Sequence, residues 1–65
     1  MLEFEVYNGT DEDGKPVSKP MTINPAAVAN VEATPEGNTT VSFISGAAVT
    51  VMDSYENVTS KLKGA

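Results

Sequence analysis

Apolar and polar residues alternate along most of the chain, and this pattern predicts strands. Near the start, Leu2, Phe4 and Val6 alternate with polar residues, a period of two that is typical of an antiparallel strand with one face toward solvent. Asn8-Gly9 is expected to end this strand, because glycine tolerates positive φ. The first predicted element is therefore a strand followed by a glycine turn.

The segment 10–20 is polar and predicts a long, mobile hairpin loop. It contains Gly14, Pro16 and Pro20 as breakers, and the run Asp11-Glu12-Asp13 makes it acidic. This run lacks the ligand spacing of a calcium-binding EF-hand, so we predict no metal site. A short strand at 21–23 is expected to pair with the first strand.

The middle of the chain predicts three more strands and one helical turn. Asn24 is expected to cap the turn, with Pro25 at its first position. The strands are predicted at 29–33, 39–44 and 47–52, joined by a turn at 35–38 and by a two-residue hairpin, Ser45-Gly46.

The last segment changes to a helical period. Asp53 or Ser54 is expected to cap a helix whose apolar stripe is Tyr55, Val58 and Leu62. The chain is thus predicted to be one small domain over 1–65. Its fold class is mainly β (small α+β), an antiparallel sheet or half barrel of about five strands with one C-terminal helix.

The alternation assigns residues to two faces of this sheet. The expected core face is Leu2, Phe4, Val6, Ile23, Val31, Val41, Phe43, Val49 and Val51, joined by Val28, Val58 and Leu62. The opposite face also carries large apolar residues, and a candidate subunit interface is formed by Tyr7, Met21, Ile44 and Met52. The alternative is that these are scattered surface residues. Because a chain of 65 residues buries little apolar surface, we predict a homo-oligomer.

Composition argues for binding over catalysis. The chain has no Cys, His, Trp or Arg, so it lacks thiol nucleophiles, imidazole bases and the usual zinc ligands. No pair of carboxylates is marked by its surroundings as an acid and a base. We therefore predict a protein that is not an enzyme and that needs no cofactor or metal.

Charge and hydropathy limit the partners. Nine acidic residues against four lysines leave a net charge of −5, which argues against nucleic-acid binding because phosphates must be neutralised. The chain lacks an apolar run of membrane-spanning length and the pattern of a signal peptide. We expect a cytoplasmic protein without membrane contact.

The lysines and nearby polar residues form a candidate ligand site. Its members are Lys15, Lys19, Lys61, Lys63, Asn38 and Thr39. In a symmetric oligomer these side chains would surround a small anionic or nucleotide ligand at the subunit junctions, as in a phage-type accessory protein that sequesters a nucleotide. Ordinary surface lysines are the alternative. A second functional hypothesis is an acidic regulator or inhibitor that presents residues 11–13 to a basic protein surface.

The order of these features resembles the flagellar FlbD-type proteins. The matching stretches are Tyr7-Asn8-Gly9, Thr22-Ile23-Asn24-Pro25, Val28, residues 31–35, residues 40–43, Gly46 and residues 53–58. The resemblance implies the same small β fold and a motility-associated regulator that binds protein. The segment 10–20 is longer than is usual in that family. The DNA-binding LytTR domain shows a looser version of the pattern, but the basic residues expected of a DNA reader are absent.

Overall fold

Five antiparallel strands form one open sheet, and a single helix follows at the C-terminal end. This architecture is seen in a computed structural model that describes residues 1–64. The elements are β1 (Leu2–Thr10), β2 (Pro16–Ile23), β3 (Val28–Ala33), β4 (Thr39–Phe43), β5 (Ala48–Val51) and α1 (Tyr55–Lys63). The strand order is β2-β1-β5-β4-β3, so β2 and β3 are the edges. The predicted fold class is confirmed.

The inner face of the sheet, which α1 covers, holds the core. Six apolar residues are buried there, five on the strands and one on α1: Phe4, Val6, Ile23, Val41, Val51 and Val58. Around them pack the half-buried Leu2, Met21, Val28, Val31, Phe43, Val49 and Leu62. All twelve predicted core residues belong to this set. Period two therefore predicts the strand residues among the twelve correctly, since successive side chains of a strand point to opposite faces, and the helical period predicts Val58 and Leu62.

Met21 lies on the inner face of the sheet, contrary to the prediction. It pairs with Phe4 across β1 and β2, and Leu2 pairs with Ile23 in the same ladder. Met21 and Ile23 are two residues apart, so both point to the inner face, where Met21 packs against the core. Its predicted place in an apolar patch on the opposite face is wrong.

Asn8-Gly9 does not end β1, contrary to the expectation. The register shifts between Tyr7, which pairs with Ser18, and Thr10, which pairs with Pro16. Two residues of β1 therefore face one residue of β2, which is a β-bulge. Gly9 has φ of 89°, a conformation that favours glycine, so the dipeptide bends the strand and the strand continues beyond it.

The predicted loop at 10–20 is mostly strand. β2 begins at Pro16, and only residues 11–15 connect it to β1. Proline is tolerated here because β2 is an edge strand, where a missing N–H leaves no ladder bond unmade. Asp11 organises the connection: its Oδ1 accepts hydrogen bonds from the backbone N–H groups of Asp13 and Lys15, each at 2.9 Å. The acidic run thus closes a tight turn.

The three hairpin turns share one geometry. The backbone N–H of the first turn residue donates to the carbonyl four residues later: Asp11 to Lys15, Thr34 to Asn38 and Phe43 to Ala47. In each turn the fourth residue is a glycine with positive φ, namely Gly14, Gly37 and Gly46. Each loop thus has three residues, a type I turn followed by a left-handed glycine. The predicted two-residue loop at Ser45-Gly46 is one residue too short.

Both predicted caps form. Asn24 Oδ1 accepts from the N–H of Ala26, and Pro25–Ala27 is a short 3₁₀ helix. Ser54 is the cap of α1, and its Oγ accepts from the N–H of Asn57 at 3.2 Å. Asp53 lies one residue earlier and serves as an anchor for the helix, since its Oδ2 accepts from Asn57 Nδ2 at 2.6 Å.

Candidate functional site

The outer face of the sheet, opposite α1, is the candidate site. On β1 the exposed Glu3, Glu5 and Tyr7 alternate with the buried Phe4 and Val6. They therefore point away from the core and from α1. The helix covers only the inner face, so among residues 1–64 no second layer covers this side of the sheet.

Polar residues continue this face across the other strands. Thr40 pairs with Thr50 across β4 and β5, and Glu32 pairs with Thr40 across β3 and β4. Tyr7 follows Val6, whose partner on β5 is Val51, so Tyr7 lies beside Thr50. The result is a continuous surface of hydroxyl, aromatic and carboxylate groups.

One carboxylate on this face is held in place. Ser18 Oγ on β2 donates to Glu5 Oε1 on β1 at 2.9 Å. The two residues lie on neighbouring strands and on the same outer face, since Ser18 pairs with Tyr7. A second oxygen of Glu5 stays available to an outside donor, because a carboxylate can accept several hydrogen bonds.

A groove of about 600 Å³ opens at the middle of this surface. Its apolar lining comes from Tyr7, Pro16 and Met52, its uncharged polar lining from Thr10, Asn38 and Thr50, and its one charge from Glu36. Three separate parts of the chain thus converge: the β1–β2 hairpin, the end of β5 and the β3–β4 turn. The size is within the usual range of ligand-binding clefts.

Charge is distributed unequally between the two faces. Glu3, Glu5 and Glu32 point outward from the strands, and Glu36 lines the groove. None of the four lysines occupies an outward strand position. Lys15 lies in the β1–β2 turn, Lys19 pairs with the inward Val6, and the remaining two belong to α1. The outer face is therefore negative.

The predicted ligand site is not assembled within one chain. Lys61 is already engaged: its Nζ lies 3.3 Å from Asp53 Oδ2 and 4.9 Å from the centre of the Phe4 ring. Lys63 is in the last turn of α1, where a positive charge complements the helix dipole. Lys15 and Lys19 lie on the β1–β2 hairpin, and no lysine lines the groove.

Thr39 is a structural residue, and its predicted role in binding a ligand does not fit its surroundings. It is fully buried, and its Oγ1 donates to the backbone carbonyl of Asp53 at 2.9 Å. This bond ties the start of β4 to the residue before the cap of α1. Asn38, by contrast, lines the groove, although its backbone closes the β3–β4 turn through bonds to Thr34.

The four predicted interface residues separate into three environments. Tyr7, which is 44% exposed, and the half-buried Met52 lie together in the groove on the outer face. Ile44 is 74% exposed in the β4–β5 turn, where its N–H donates to the carbonyl of Ala27. Met21 belongs to the core. The apolar patch is therefore smaller than the pattern predicted, and whether it forms a subunit interface stays a prediction.

Side chains suited to other chemistry do not gather elsewhere in the described part of the chain. Among residues 1–64 no three acidic side chains come together as a group that could hold a metal ion. No helix among these residues has the length and apolar character needed to cross a membrane. The groove brings aromatic, amide and carboxylate groups together on an open cleft of the outer face. A smaller cleft of about 410 Å³ beside the start of α1 is lined by the same kinds of group, Tyr55, Asn38 and Glu56.

Comparison of the chain with protein-family models, with curated proteins and with solved structures finds no match. The resemblance to FlbD-type proteins therefore stays a prediction.

Proposed function

We propose that this chain is a small, non-catalytic binding protein that docks a basic protein partner on the outer face of its sheet. The observation that carries the proposal is the separation of charge. Glu3, Glu5, Glu32 and Glu36 lie on one uncovered face, and the lysines lie elsewhere. A partner with the opposite potential would be attracted by long-range forces and oriented correctly on arrival.

The same charges argue against pairing this face with a second copy. A two-fold interface uses the same patch on both copies, so the glutamates of both copies would lie in one interface without an outward lysine to pair with. Like charges brought together at an interface are unfavourable, and they are more so when water is excluded. Tyr7 and Met52 provide apolar contact area, but a basic partner uses that area without the repulsion. Self-association with an anionic ligand at the junctions stays a prediction, as do the phage origin and the cytoplasmic location.

The acidic turn at residues 11–13 is a less suitable docking element. Asp11 is used within the turn, where its Oδ1 accepts two backbone hydrogen bonds. Glu12 and Asp13 are exposed, but neither lines the groove. Substitutions of Glu12 and Asp13 can therefore serve as a control for substitutions of the glutamates on the outer face.

The test is binding of a peptide of alternating arginine and alanine, measured by calorimetry at low and moderate salt. The unmutated chain should bind, and added salt should weaken binding because exposed charges are screened. The double variant Glu3→Gln and Glu32→Gln should bind more weakly than the double variant Glu12→Gln and Asp13→Asn, which removes the same charge from the turn. Equal losses in the two variants would show that only net charge matters and would contradict the proposal.

Sedimentation of the unmutated chain addresses the competing hypothesis. If the outer face docks a basic partner and does not self-associate, the chain alone should sediment as a monomer with a mass near 6.8 kDa, in contrast to the homo-oligomer predicted from its small core. An oligomer that dissociates when Tyr7 is changed to Glu would support self-association through this face and would contradict docking of a basic partner there.

A further inference from the structure

We propose that the groove is a specificity pocket for one arginine side chain of the docked partner. This inference rests on the proposed function and adds the identity of the recognised group. The groove has only one charged side chain in its lining, Glu36, and one aromatic ring, Tyr7. Both converge on the same cleft from different parts of the chain, β1 and the β3–β4 turn.

The lining matches the two parts of a long cationic side chain. Met52 and Pro16 offer apolar surface to an aliphatic stem, which long cationic side chains readily bury while the charged head stays polar. Glu36 offers a carboxylate for a charge-assisted hydrogen bond, and Asn38 offers an amide oxygen. The ring of Tyr7 offers a negative π face to the cation.

The chain already uses this combination once, on its other side. The ammonium of Lys61 lies 4.9 Å from the ring centre of Phe4 and 3.3 Å from Asp53 Oδ2. An aromatic ring and a carboxylate thus hold a cation within this molecule. The groove presents the same two kinds of group without a lysine of its own in the lining.

Arginine fits the groove better than lysine. Its guanidinium is planar, stacks on an aromatic ring, and donates to a carboxylate through two parallel N–H groups. It is also less strongly hydrated than an ammonium group, so it loses less on entering a partly apolar cleft. The open groove and the Tyr7 ring suit this planar group.

The arginine should belong to a protein segment. The groove opens onto a face that continues through Glu3, Glu5 and Glu32, so further basic residues of the same segment have partners beside it. A free amino acid would bring its own carboxylate onto this negative face. The surface thus favours a peptide over a small molecule.

The experiment compares two peptides, one of alternating arginine and alanine and one of alternating lysine and alanine, by calorimetry. The unmutated chain should prefer the arginine peptide. Tyr7→Leu should weaken arginine binding by about two- to fivefold, the effect expected of one exposed cation–π contact, and Tyr7→Phe should retain the preference. Glu36→Gln should weaken binding of the arginine peptide by about two- to fivefold, as expected for the loss of an exposed ion pair. Glu12→Gln should weaken this binding less.

The outcomes separate this inference from the proposed function. If both peptides bind equally and Tyr7→Leu changes neither, the pocket assignment is wrong while docking on the outer face stands. If neither peptide binds the unmutated chain, the proposed function fails. If free arginine binds as tightly as the peptide, the site recognises a small molecule and the assignment to a protein segment is overturned. Far-ultraviolet circular dichroism of each variant verifies that it is folded.

Discussion

The two faces of the sheet are built from the same strands but differ in burial and in the residues they present. The inner face presents buried aliphatic and aromatic side chains to α1: Val41 and Val51 of the sheet and Val58 of the helix are at most 1% exposed. The outer face presents glutamates, threonines and one groove, and nothing among residues 1–64 covers it. Because neighbouring residues of a strand point to opposite faces, each strand contributes to both at once. Packing restricts the choice of residues on one face and leaves the other free for recognition.

The largest expected difference in stability is between variants of Phe4 and variants of Tyr7, both on β1. Phe4→Ala should lower the free energy of unfolding by about 3–5 kcal/mol, because a buried ring is removed from the core. Tyr7→Ala should cost less than about 1 kcal/mol, because Tyr7 lies on the uncovered outer face and the residue is 44% exposed. Urea denaturation followed by circular dichroism measures both losses.

Phe4→Leu keeps more of the volume and provides a milder variant if Phe4→Ala does not fold. A loss at Tyr7 as large as the loss at Phe4 would mean that both faces are covered in solution, as in a self-associated form. That result would remove the contrast between the two faces.

An intermediate difference in stability is expected between variants of two adjacent threonines on β4. Thr39→Val should lower the free energy of unfolding by about 1–3 kcal/mol, because it leaves the part-buried carbonyl of Asp53 without the donor that Thr39 supplies. Thr40→Val lies on the outer face and should change stability by about 0.5 kcal/mol or less. Thermal denaturation of the two single variants compares them directly. Equal costs would show that the bond between β4 and the start of α1 contributes nothing measurable.

The smallest effect is expected for the cation above Phe4. Lys61→Met should lower the free energy of unfolding by about 0.5–1 kcal/mol, since it removes a partly exposed ion pair and a cation–π contact while keeping the apolar stem. Lys63→Met is the control on the same helix and should cost less. The difference between the two variants, measured in urea, should shrink in high salt if the ion pair contributes. A difference unchanged by salt would assign the effect to packing on the ring alone.

The sequence alone was sufficient to assign the core. All twelve predicted core residues pack together. Alternation with period two predicts those on the strands, and the helical period predicts Val58 and Leu62, because each period is a local property of its element. Period two applied to Met21 and Ile23 also predicts the correct face for Met21. The signal for the turns was present too, since Gly14, Gly37 and Gly46 each stand fourth in an equivalent hairpin turn.

The length of the strands in the β1–β2 hairpin could not be predicted from the local sequence pattern. Pro16 and Pro20 are usually breakers, and only the position of β2 at the edge of the sheet makes them acceptable in a strand. Strand order is a property of the whole fold, so local propensity is a poor guide here. The bulge at Gly9 likewise depends on the partner strand that opposes it.

Local sequence patterns are enough to predict the fold class, the two-faced character of the strands, the caps of both helical segments and the excess of negative charge. They do not predict that Tyr7, Glu36 and Met52 line one groove, that Thr39 is buried against Asp53, or that Lys61 lies over the ring of Phe4. The difference is due to distance along the chain. Periodicity and capping act between residues a few positions apart, whereas the groove joins three segments that approach each other only after the sheet has paired.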